Sequence, residues 1–75
     1  MNWRDHISVD PAVAHGQACV AGTRIFVSIV LDNLATGLSH DQIIESYPRL
    51  TRDAINACIA YVADLAREEV ISLPA

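Results

Sequence analysis

Leu50–Val70, LTRDAINACIAYVADLAREEV, is the stretch on which the fold of this chain turns. Thr51 is a good helix N-cap, because its hydroxyl can accept a free backbone N–H of the first turn. Asp53 follows near the positive end of the helix dipole, where a carboxylate is favoured. Ile55, Cys58, Ile59, Val62, Leu65 and Ala66 then recur at helical spacing and form one apolar stripe, expected to face inward. The segment predicts a helix on the order of 27 Å long at ~1.5 Å per residue. Its other side carries Ala54, Ala57, Ala60, Ala63 and Tyr61, few of which demand water. Packing partners are therefore expected on more than one face.

Upstream, Pro48 ends the preceding element, because the residue before a proline avoids helical geometry. Pro48-Arg49-Leu50 then forms the turn. Ser39-His40-Asp41-Gln42 is a capping box, so a second helix is predicted over 40–46 with Ile43, Ile44 and Tyr47 inward. Gly37 reads as the C′ residue of a first helix over 29–36, capped by Ser28, with Val30, Leu31 and Leu34 inward. Gln17–Val27 predicts a β-hairpin with Ala18, Val20, Ile25 and Val27 on one face and Ala21-Gly22 in the turn. Before it lies one extended piece, around His6–Val9, ended by Asp10-Pro11. The expected fold is mainly α: a three-helix helix-turn-helix domain, winged-helix or homeodomain-like, with a short N-terminal β-hairpin. One domain spans 1–75, divided into an arm and hairpin (1–27), a three-helix unit (28–70) and a short tail (71–75).

Hydrophobic residues make up 52% of the 75 and charged residues 19%, against about 25% charged in ordinary domains. So short a chain has little interior in which to hide that surplus, and a homodimer is expected as the commonest solution. The net charge is −4, with five arginines and no lysine. That balance is poor for a stand-alone nucleic-acid binder, which works by neutralising phosphates, and it suits a basic protein partner. Cys19 and Cys58 fit neither zinc spacing nor a disulfide framework and read as buried apolar residues of a reducing cytosol. The polar start, MNWRDHISVD, is unlike a signal peptide, and no apolar run reaches membrane-spanning length. A soluble, cytoplasmic protein is expected.

His6, His15 and His40 share no metal-ligand spacing, and no nucleophile–base set can be assembled. The expectation is a non-enzyme with no metal, cofactor or small-molecule substrate. Arg49, Thr51, Arg52 and Asn56 sit where a recognition helix presents side chains to the major groove, and are the candidates for operator DNA. Between residues 40 and 53, however, two arginines meet three acids. Ala57, Ala60, Tyr61, Asp64, Ile71 and Leu73 are the candidates for a dimer or partner interface. Trp3 and the tail are expected to be ordered only against such a surface. Glu68 and Glu69, near the negative end of the dipole, call for a positive group from elsewhere. Gly22, Arg24, Gly37, Ser39 and Pro48 read as structural, Arg24 by forking onto Asp10 or Asp32.

Ile7-Ser8, Asp10-Pro11, Gly16 and the block Ala21–Val27, followed by Gly37-Leu38-Ser39, Ile43-Ile44, Tyr47-Pro48 and Leu50-Thr51, together resemble the DUF433 family. The resemblance spans Ile7 to about Leu65. It implies a small helix-turn-helix domain, often encoded beside a PIN-like nuclease toxin and regarded as a VapB-type antitoxin. A second role for Arg24 follows from it: contact with the acidic site of such a toxin. The chain departs from the family at Ala18-Cys19, where a Lys-Pro pair is common. It also lacks the long C-terminal tail that many antitoxins wrap around their toxins.

Overall fold

The computed structural model describes residues 2–12 and 16–68. In chain order these form a 3-10 turn (Trp3–Asp5), β1 (Ile7–Ser8), β2 (Cys19–Val20), α1 (Val27–Ala35), α2 (His40–Ser46) and α3 (Arg52–Glu68). The protein is mainly helical, with three helices and a short antiparallel pair of strands.

Three of the helix boundaries have a local chemical cause. Thr51 Oγ1 accepts the Ala54 N–H at 3.0 Å and caps α3. Ser39 Oγ accepts from Gln42 N at 3.2 Å while Gln42 Oε1 accepts from Ser39 N at 2.8 Å, completing the capping box of α2. At the end of α1, Gly37 N donates to Leu34 O and Leu38 N to Asn33 O, which is a Schellman closure. It requires the positive φ of 95° that Gly37 adopts. Leu38, the last residue of that closure, directly precedes Ser39, the cap of α2.

The start of α1 departs from expectation. The helix begins at Val27 rather than Ile29, and its N-cap is Phe26, with no side-chain cap from Ser28. The reason is that Val27 N–H already donates to Ala18 O at 3.0 Å, so backbone beside β2 takes a donor that a capping side chain would otherwise satisfy. The predicted hairpin is altered for the same reason. β2 pairs with β1, with Ile7 opposite Val20 and Ser8 opposite Cys19. The returning arm contributes one bridge, Cys19 with Phe26, and the bond from Val20 N to Ile25 O. Beyond it the backbone is already helical.

The core gathers Ile7, Val20, Val27, Val30, Ile43 and Leu50 around Ala54, Ile55, Ala57 and Cys58 of α3. The small Ala54 and Ala57 let neighbouring elements approach the helix closely. Past Cys58, no described residue of α3 is fully buried. Ile59, Val62 and Leu65 are 43%, 37% and 44% exposed, and Ala66 is exposed too. The expected inward stripe is thus buried over its first half only, because α3 outruns the body that α1 and α2 supply. Truncating Ile55 to Ala should lower unfolding free energy by ~2–5 kcal/mol, and Ser39→Ala by ~1 kcal/mol, read from urea-unfolding midpoints.

Candidate functional site

Three surfaces carry the residues singled out from the sequence. The first is the C-terminal half of α3. Of the expected interface set, Ala57 is wholly buried in the chain's own core, and Ala60, Tyr61 and Asp64 are half-buried. Tyr61 packs edge-on against Trp3, ring centroids 4.8 Å apart. Trp3 Nε1 donates to Asp64 Oδ2 at 2.5 Å, Arg67 pairs with the other oxygen of Asp64, and the Arg4 guanidinium lies 4.5 Å over the Trp3 ring. Trp3 is therefore docked on its own subunit, contrary to expectation. Among the described residues, the large apolar side chains left exposed are Val9 and, on α3, the ridge of Ile59, Val62 and Leu65 rather than the alanine side. Ile71, Leu73 and Glu69 lie outside the described residues, as does the side chain of Glu68.

The second surface is the start of α3 facing α2. Thr51 is spent as the cap. Arg52 Nη1 meets Asp41 Oδ1 at 2.9 Å, and His40 Nε2 lies 2.8 Å from Asn56 Oδ1. The two candidates for reading bases are thus tied, one helical turn apart, to the first two residues of α2. Both ties are exposed, and exposed pairs are weak enough to open.

The third surface was not assembled from the sequence. An open cleft of about 540 Å³ is lined by Ser8, Asp10, Gln17, Cys19, Gly22, Thr23, Arg24 and Arg49. Thr23 Oγ1 donates to Val20 O at 2.8 Å and accepts from Ile25 N at 3.0 Å, shaping the turn that carries Arg24. Gly22 has φ 78° there. Arg49, from the α2–α3 turn, donates Nη2–H to Gly22 O at 3.3 Å and ties the two turns together. The expected ion pair of Arg24 is not formed: among the described residues neither Asp10 nor Asp32 meets it. Asp10 instead accepts the Ala12 N–H at 2.9 Å. Ser8, Arg24 and Arg49 come from segments far apart in sequence, so no local spacing announces them.

Both cysteines are buried free thiols. Burial pushes the Cys58 thiol up to about 11, which keeps it protonated and unreactive. Among the described residues no three His, Cys, Asp or Glu side chains converge where a metal could be held. No described helix is long and apolar enough to cross a membrane.

These features define a small three-helix domain whose distinctive surfaces are an apolar ridge and an arginine-lined cleft. The chain belongs to DUF433, a family described as a protein of unknown function, whose model matches residues 7–62. Every residue lining the cleft lies inside that span, whereas Trp3, Asp64 and Leu65 lie outside it. Among curated proteins and solved structures, nothing matches the chain.

The Asp64 carboxyl is held below its ordinary value of 3.8, first by the hydrogen bond from Trp3 and then by Arg67. A carboxyl whose pKa is lowered by folding contributes stability above its unfolded value and loses it as pH falls through the lowered one. Trp3 is the sole tryptophan and reports on this directly. Its emission should shift to the red as pH drops below the ordinary carboxylate range. Asp64→Ala should show the shifted emission already at neutral pH, with no acid step.

Proposed function

We propose that this protein is a non-catalytic, antitoxin-like binding protein that pairs with a second copy through α3 and, as a dimer, holds a PIN-like nuclease. The observation that carries this reading is the uncovered ridge of Ile59, Val62 and Leu65. Three large apolar side chains in a row on one helix are costly to leave in water, at roughly 25 cal/mol per Å². The occupant argued for is a second copy, because the ridge is self-complementary. Ile59 and Leu65 are equally far from Val62, so an antiparallel copy turned about Val62 sets each Ile59 against a Leu65. That is the isologous contact a two-fold dimer needs. Exposed Ala66 and half-buried Ala63 beside the ridge leave room for close approach. The nuclease partner rests on the family resemblance together with the net charge of −4, which favours a basic protein.

A second reading, operator binding by a helix-turn-helix of α2 and α3, is favoured by the exposure of Arg52 and Asn56, one helical turn apart on α3, and of Arg49 in the preceding turn. Arg52 and Asn56 must first release Asp41 and His40, so that binding would be weak and strongly salt-dependent. It predicts binding to an inverted repeat weakened by ~1–3 kcal/mol in Arg52→Ala.

Sedimentation equilibrium tests the dimer. The wild-type chain should be dimeric and Val62→Glu monomeric with unchanged helical content. A wild-type chain that stays monomeric at high concentration removes the proposal. Co-expression with the PIN-like nuclease should yield a complex that survives purification, and its absence removes the nuclease as partner.

A further inference from the structure

The chain has five arginines and no lysine. Three of the arginines are engaged away from the cleft: Arg4 over the Trp3 ring, Arg52 on Asp41 and Arg67 on Asp64. The other two, Arg24 and Arg49, both line the cleft. Among the described residues Arg24 makes no hydrogen bond or ion pair, and Arg49 gives one N–H to Gly22 O. Most of the donors of two guanidinium forks are therefore available in one concavity. In a molecule of net charge −4, two arginines and one carboxylate, Asp10, line a single recess and leave it net positive, an arrangement that favours an anion.

Donor geometry selects the kind of anion. A carboxylate offers two oxygens and matches one guanidinium fork, whereas a phosphomonoester offers three acceptor oxygens and can engage two. The volume of about 540 Å³ lies in the range of small-molecule sites. Asp10 lines the same cleft, its Oδ1 held by the Ala12 N–H. It cuts the cleft's net charge to about +1 (two arginines less one carboxylate), which suits a single small anion better than a polyanion such as duplex DNA. Its oxygens can accept from a ligand hydroxyl or amino group. We propose that the cleft between the turn following β2 and the α2–α3 turn binds a small phosphomonoester, with the phosphate on Arg24 and Arg49 and a hydroxyl donating to Asp10. The site uses no residue of the α3 ridge and stands or falls independently of the dimer.

Amide chemical shifts of the full chain, titrated at low salt, test it. Ribose 5-phosphate is the probe, with ribose, inorganic phosphate and a short DNA duplex as comparisons. The expected result is saturable movement of the Gly22, Thr23, Arg24 and Arg49 amides with ribose 5-phosphate, competition by inorganic phosphate, and no response to ribose. Arg24→Gln should weaken binding about tenfold or more, while Arg67→Gln, which removes the same charge elsewhere, should not. Arg24→Gln breaks no hydrogen bond among the described residues, and retained amide dispersion verifies its fold. Should dispersion be lost, Arg24→Lys, which keeps a charge without the fork, makes the same comparison. The proposal is overturned by the absence of saturable movement, by an equal response to ribose, by undiminished affinity in the Arg24 variant, or by saturation with the duplex alone.

Discussion

The structure depends on one close approach, that of the first half of α3 to everything else. Ala54 and Ala57 present almost no side chain, so β1, α1 and α2 can come up to the helix backbone, and Ile55 and Cys58 fill the space between them. Neither strand pair nor either short helix has enough apolar surface to stand alone. Each is stable because it has this same partner, and the geometry of the cleft and of the ridge follows from where they dock.

The two surfaces differ in kind because the two halves of α3 differ. Where the body covers the helix, neighbouring turns are drawn together, and Arg49 reaches the Gly22 carbonyl across them. Where the body ends, the brace among the described residues is the 3-10 turn, through Trp3, Tyr61 and Asp64. That bracing occupies one side and leaves Ile59, Val62 and Leu65 on the other.

Much of this was legible in the sequence where the cause is local. The Ser39–Gln42 box, the Thr51 cap, the stop at Gly37 and the break at Pro48 each depend on a few adjacent residues and were read from them. The start of α1 was not, since its first N–H is satisfied by Ala18, nine residues back. Periodicity marked the stripe from Ile55 to Ala66 but carries no information on how far the covering body extends. Arg24 was expected to fork onto Asp10 or Asp32; Asp10 does line the same cleft but accepts from the Ala12 amide, and neither pairing forms among the described residues. The cleft draws on segments whose adjacency exists only after folding, so no motif could have found it.

The bond from Trp3 to Asp64 spans 61 positions and nearly closes the described chain into a ring. The entropy of bringing two points of a chain together rises with the length between them, and this is close to the longest loop the molecule can make. The capping box, by contrast, is closed by residues three apart. By loop closure alone, the caps cost less entropy to form than the N-terminal latch. Through that latch the two ends of the described chain share one contact, so a change at Trp3 is felt at Tyr61 and Asp64, far along the chain.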